Sequence, residues 1–256
     1  MHLERLVVGY SLAGIDTVRL IMSGRKRGRE RTSSGLQFAM DWTRPPGARR
    51  GRLYVIAAPS GAGKTSLVRA LMQREPGLRF SISYTTRARR PNELHGRDYF
   101  FVSQDEFAAM VSRGEFLEHA RVFDNSYGTA LAQVQGSLAA GQDLILEIDW
   151  QGAQQVRAAL PECVSIFILP PSRDELERRL RGRGTDAEEV IQRRLRDAAS
   201  DMAHWAEFDY VVVNDDFERA LEELQAITQG RGEASRRDRG ALEDLAARLS
   251  GDQGGG

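Results

Sequence analysis

At 256 residues with 41% hydrophobic side chains, the chain can bury an ordinary core as one large domain or two small ones. Its 36 Lys and Arg balance 36 Asp and Glu, but residues 1–52 hold eleven basic against four acidic side chains, so that segment carries +7 and the remainder −7. One cysteine, Cys163, excludes an internal disulfide framework and fits a reducing cytoplasm, and no stretch reaches the roughly 18 uncharged apolar residues that span a bilayer.

The first segment lacks periodicity. Leu6 to Met22 is broken by Asp16 and Arg19, and the basic cluster Arg25 to Arg31 follows the apolar part, the reverse of a secretory signal. Residues 1–49 end in Arg44-Pro45-Pro46-Gly47 and read as a basic, disordered extension, with Met40 an alternative start. The extension has no aromatic interleaving or motif for nucleic acid, so no nucleic-acid partner is expected. The folded region is expected from residue 50.

From there strands alternate with helices. Leu53 to Ala57 is a short apolar run of the buried parallel kind, and Ser66 to Arg74 has helical spacing. Phe80 to Thr85, Asp98 to Val102 and Phe116 to His119 are short β-like pieces that break the rhythm and suggest an inserted lobe. Leu144 to Ile148, Val164 to Leu169 and Tyr210 to Val213 read as further strands. Ser103 with Glu106 and Ser172 with Glu175 have capping-box spacing, and Asp216 suits the cap of a helix from Phe217 to Ile227. A charged helix around Ala241 to Leu249 and a Gly-rich tip complete residues 231–256. The fold class is α/β: a parallel sheet covered by helices on both faces.

Between the first strand and first helix lies Ala58-Pro59-Ser60-Gly61-Ala62-Gly63-Lys64-Thr65-Ser66. Its glycines let backbone N–H groups turn toward phosphate oxygens, Lys64 reaches the outer phosphates, and Thr65 offers a hydroxyl to Mg²⁺. The strict pattern has glycine where Ala58 stands, a departure the remaining residues tolerate. Glu147 and Asp149, two apart on the expected strand, should share one face at its carboxyl end. The isolated histidines His95, His119 and His204 offer no zinc spacing.

These blocks, with Ser83-Tyr84-Thr85-Thr86-Arg87-Ala88-Arg89-Arg90-Pro91, Gly96-Arg97-Asp98-Tyr99, Phe116-Leu117-Glu118, Tyr127-Gly128-Thr129 and Ile148-Asp149-Trp150-Gln151-Gly152, closely resemble guanylate kinases of the bacterial type over about residues 51 to 230. The resemblance implies a P-loop core, a GMP-binding lobe at about 82–132 and a small lid at about 183–194. It implies ATP as co-substrate with Mg²⁺, and GMP or dGMP as acceptor. Arg87, Arg90, Tyr99 and Tyr127 would grip the acceptor phosphate, two guanidinium forks suiting a dianion. Glu118, helped by Ser83 and Thr129, would read the N1–H and N2–H₂ edge of guanine. Asp149 would lie beside metal and GMP, with metal contact by Thr65 and Asp149 direct or through water. Arg179, Arg183 and Arg194 would bring cations to the moving phosphoryl group, and Asn214 would sit on the adenine side. A homo-oligomer is compatible with the sequence. Two rivals are a related ribose-bisphosphate kinase, which needs no guanine-reading carboxylate, and a binding module of the same fold, which commonly loses the phosphate loop.

Overall fold

In the computed structural model, residues 49–122, 124–182, 187–235 and 239–250 are described. The expected extension, Met40 and the Gly-rich tip lie outside them.

β1 (Leu53–Ala57) is the centre of a five-stranded, wholly parallel sheet. It is flanked by β7 (Asp143–Glu147) and β8 (Val164–Leu169), with β2 (Leu78–Phe80) and β9 (Tyr210–Val213) at the edges. Every residue of β1 is buried because both faces are covered. Leu53, Val55 and Ala57 point to one face with Leu144, Leu146, Phe167 and Leu169, while Tyr54 and Ile56 point to the other with Ile145, Ile166 and Ile168. Successive side chains alternate, so a strand buried on both sides must be apolar throughout. α1 (Lys64–Arg74) and α7 (Phe217–Thr228) cover the second face through Leu67, Leu71, Leu221 and Leu224. On the first lie α3 (Leu131–Ala139), α4 (Trp150–Ala159), α5 (Arg173–Arg181), α6 (Glu188–Met202) and α8 (Arg239–Ser250). Each fully buried Leu, Ile or Phe contributes roughly 1.5–3 kcal/mol.

A second sheet has the order β4 (Phe100–Phe101), β3 (Tyr84–Thr85), β6 (Asn125–Ala130), β5 (Phe116–Val122), with α2 (Gln104–Ser112) beside it. It falls within the stretch where the sequence suggests an insertion. Phe80 to Thr85, expected as one piece, is divided between the two sheets. Ser81 N–H ends the parallel ladder on Ile145 O at 3.1 Å, and Ser83 O already accepts from Phe100 N–H at 2.9 Å. β6 is absent from the sequence expectation, because Asn125, Ser126 and Gly128 carry little β preference; its pairing with β5 supplies what propensity does not. Both serines cap their helices: Ser103 Oγ accepts the N–H of Glu106 and Ser172 Oγ that of Glu175, each at 3.1 Å. Asp216 caps α7 by accepting from Arg219 N–H at 2.9 Å.

Among the described residues, no helix is long and apolar enough to cross a membrane.

Candidate active site

The loop after β1 is shaped by two glycines in the left-handed region, Gly61 at φ 92° and Gly63 at φ 95°. Gly63 is also the N-cap of α1, and a Cβ there would stand 2.4 Å from Asn214 Nδ2. That crowding has a purpose. Asn214 donates from Nδ2 to Ala62 O at 2.7 Å, and Arg179 donates to the same carbonyl at 3.2 Å, to Asn214 O at 2.9 Å and to Glu175 Oε1 at 2.7 Å. These donors hold the Ala62 carbonyl, and the Ala62 N–H donates to Pro59 O at 3.2 Å, so the loop's shape is fixed before an anion meets its other N–H groups. Asn214 is buried, and neither it nor Arg179 lines the cleft; both brace the loop.

Lys64 Nζ donates to Ile148 O at 2.8 Å and lies 4.0 Å from Glu147 Oε1. Burial pushes its pKa down, opposed chiefly by the charges of Glu147 and Asp149. Thr65 Oγ1 donates to Glu147 Oε1. β7 ends at Glu147, so Asp149 is not a strand residue as expected: it is the N-cap of α4, with Oδ1 accepting Gly152 N–H at 2.7 Å. Strand and helix nevertheless deliver both carboxylates to the same cleft.

Opposite the loop, Glu118 on β5 is directly across from Thr129 on β6, whose Oγ1 donates to Glu118 Oε1 at 2.6 Å. Burial pushes the Glu118 pKa up to about 7 against that hydrogen bond, and the charge of Asp149 raises it further. Gly152 allows the approach, since a Cβ there would stand 2.7 Å from Glu118 Oε2. Tyr99, Tyr127 and Ser83 line the same cavity of about 400 Å³ as Lys64, Thr65 and Glu118. Burial raises the pKa of the Tyr99 hydroxyl.

Arg87 and Arg90 are organised by a residue the sequence reading missed. Glu93 accepts from Arg87 Nη2 at 2.7 Å with Oε1 and from Arg90 N–H at 2.9 Å with Oε2. The hydrogen bond to Arg87 holds Glu93 below the usual carboxylate range. The Arg87 guanidinium lies 5.3 Å from the Tyr99 ring centroid, while the Arg90 side chain is exposed.

Of the three arginines expected to bring cations to the transfer point, Arg183 lies outside the described residues. Arg194 lines the cleft from α6 with Asp197 and Asp201, two further residues the sequence reading left out. Burial pushes the Asp201 pKa up to about 6, and its Oδ1 accepts Trp150 Nε1–H at 3.0 Å. Their spacing gives only a partial signal: 194, 197 and 201 lie on one helical face, but which surface that face meets is set by packing.

Residues 50–230 match the family model described as guanylate kinase. The guanylate kinase of Alkalilimnicola ehrlichii is 59% identical over 177 residues, covering 69% of this chain and 87% of that protein. That of Methylococcus capsulatus is 56% identical over 202 residues, covering 79% and 99%. The crystal structure of guanylate kinase from Anaplasma phagocytophilum matches with a TM-score of 0.60 at 33% identity, over 79% of this chain and 97% of that one. With a family model spanning most of its length and relatives above half identity, the chain belongs to the guanylate kinase family.

Proposed function

We propose that this chain transfers the γ-phosphoryl group of ATP to GMP, giving ADP and GDP, and that it accepts dGMP, which presents the same base edge and phosphate. One observation carries the reading. A single cleft is lined both by the phosphate loop from Ala58 to Ser66 and by a buried carboxylate, Glu118, pinned by a neighbouring hydroxyl. The loop is a donor site and Glu118 an acceptor-base site.

Phosphoryl transfer needs positioning and charge neutralisation more than covalent chemistry. The loop's N–H groups and the start of α1 cradle the triphosphate, while Lys64 follows the moving group. Tyr99, Tyr127, Arg87 and Arg90 hold the GMP phosphate, Arg87 exchanging part of its pairing with Glu93 for the ligand. Glu118 accepts from guanine N1–H and N2–H₂, with Ser83 and Thr129 completing that edge. Adenine would set a lone pair against the same carboxylate, and sites that demand such bonds discriminate by roughly 10⁴ or more. Arg194, with Arg183, adds cations at the transfer point. Arg179 and Asn214 act by holding the loop, Asn214 in addition lying on the adenine side.

Mg²⁺ suits the donor set. Thr65 Oγ1 and Glu147 Oε1 are already in contact, Asp149 lines the same cavity, and all three are hard oxygen ligands of the kind Mg²⁺ shares with water and phosphate. Thr65 would hold the ion, with Glu147 and Asp149 directly or through water. When bound, it neutralises charge on the phosphate oxygens.

We place the folded domain at residues 50–230, its GMP-binding lobe at about 82–132 and its lid at about 183–194. A cytoplasmic location accords with the single, buried Cys163. Measuring ADP formation with GMP, dGMP, AMP, UMP and a ribose bisphosphate tests the function. Turnover should appear with GMP and dGMP and be at least about 10³-fold lower with AMP. Equal use of AMP, or turnover only with the ribose bisphosphate, would sink it.

A further inference from the structure

Where α6 meets α4, two rows of side chains interlock. Trp150, Gln154 and Arg157 lie on one face of α4, and Asp201, His204 and Glu207 run along the end of α6 and the turn that follows. Trp150 Nε1 donates to Asp201 at 3.0 Å, and the His204 ring lies flat on the indole, centroids 3.5 Å apart at 9°. His204 Nδ1 is 2.6 Å from Glu207, which accepts from Gln154 at 2.8 Å and lies 3.9 Å from Arg157. The pair nearest the cleft is Trp150 with Asp201.

Both ends of that pair adjoin the reaction. Trp150 follows Asp149 and precedes Gly152 by two residues, the glycine against which Glu118 rests. Asp201 is seven residues beyond Arg194, two turns along the same face of α6. We infer that Trp150 and Asp201 are positioning residues: their hydrogen bond sets the angle at which α6 presents Arg194 to the cleft, and ties that angle to the acceptor side. The inference rests on the reading of Arg194 as a cation at the transfer point.

Magnitudes favour this over a stabilising role. Two turns of helix make a lever of about 10 Å, so a tilt of about 5° at Asp201 moves Arg194 by about 1 Å. A misplacement of that size can cost roughly 10²-fold in rate. The junction's cohesion rests elsewhere, on the buried Met202, Trp205 and Phe208 and on the Gln154 and Glu207 contact.

Steady-state kinetics on the full chain test it with Trp150→Phe, which keeps a ring and loses the donor, Asp201→Ala, and Asp201→Asn, which keeps an acceptor oxygen and loses the charge. Trp150→Phe and Asp201→Ala should lower kcat about tenfold or more, with KM for GMP and ATP within about twofold and Tm within a few degrees. The double variant Trp150→Phe with Asp201→Ala should fall no further than Asp201→Ala, and Asp201→Asn should keep most of kcat. Unchanged kcat in Trp150→Phe, an Asp201→Asn loss equal to that of Asp201→Ala, or losses that follow the unfolded fraction would each overturn the inference. Absence of GMP-dependent ADP formation in the unaltered chain would instead remove the functional reading beneath it.

Discussion

On the proposed function Glu118 accepts from guanine as an anion, yet it is held where burial favours its neutral form. Its folded pKa of about 7 lies above the unfolded carboxylate value of roughly 4.3, so the ligand-free fold binds the proton more tightly. The resulting stability is fully present below the unfolded pKa and is lost as pH rises through about 7. GMP binding reverses the preference, because N1–H and N2–H₂ donate to the charged form. KM for GMP should therefore rise about tenfold for each pH unit below 7, and Glu118→Gln should flatten that limb while raising KM at pH 8 about 100-fold, the loss of charge-assisted bonds worth roughly 3 kcal/mol. The GMP phosphate itself titrates near pH 6, so the difference between the two profiles is the quantity to measure. An unchanged limb in Glu118→Gln would remove the assignment. Lys64 gives a complementary result. Lys64→Met should lower kcat by about 10³-fold, as loss of a transition-state donor does, with GMP binding by calorimetry retained.

At the scale of elements, the loop and α1 form one device with α5 and the end of β9. Gly63 sits at φ 95° with Asn214 Nδ2 only 2.4 Å from where its Cβ would be. Gly63→Ala incurs about 1–2 kcal/mol for the left-handed backbone and about 1 kcal/mol more for displacing Asn214 from Ala62 O. At roughly 2–4 °C per kcal/mol for a domain of this size, Tm should fall about 5–10 °C, and KM for ATP should rise more than tenfold. A variant with unaltered Tm and KM would show that the brace is dispensable. Much of this device is legible in the sequence: Gly61, Gly63, Lys64 and Thr65 carry a local pattern, and β1, β8 and β9 are apolar runs with turn signals at each end. What is not legible is what long-range packing decides. Nothing in the motif says that Asn214 and Arg179 converge on Ala62 O, contacts more than 100 residues apart in the chain. Glu93 looks like an ordinary surface charge until folding sets it against Arg87 and Arg90, and so do Asp197 and Asp201 until α6 brings them to the cleft. Asp149 was readable as a site residue but not as a helix cap, because apolar patterning cannot tell where β7 stops.

For the whole molecule, the question is where the catalytic unit begins. The family match opens at residue 50, and among the described residues contacts begin at Arg49. Gly51 N–H donates to Leu138 O at 2.9 Å, Arg52 N–H to Asp143 Oδ1 at 2.7 Å, and Arg49 pairs with Asp143 at 2.7 Å. Gly51 has no room for a Cβ, which would stand 1.9 Å from Gln142 O, so the chain is threaded tightly against the turn before β7. These contacts fasten β1, the central strand, whose two faces start both hydrophobic cores and whose end carries the phosphate loop. Truncation tolerance follows hydrogen bonding and burial of the backbone removed. A chain beginning at Arg49 should keep kcat/KM within twofold and Tm within about 2 °C, since every contact just named survives. A chain beginning at Arg52 loses the Gly51 hydrogen bond and the Arg49 pair, about 1–2 kcal/mol together, and should melt about 3–6 °C lower with its nucleotide specificity intact. Thermal melting and the GMP assay on the two truncations decide the boundary. A large catalytic loss already in the first would make residues before 49 part of the working enzyme, against the assignment of the catalytic domain to residues 50–230.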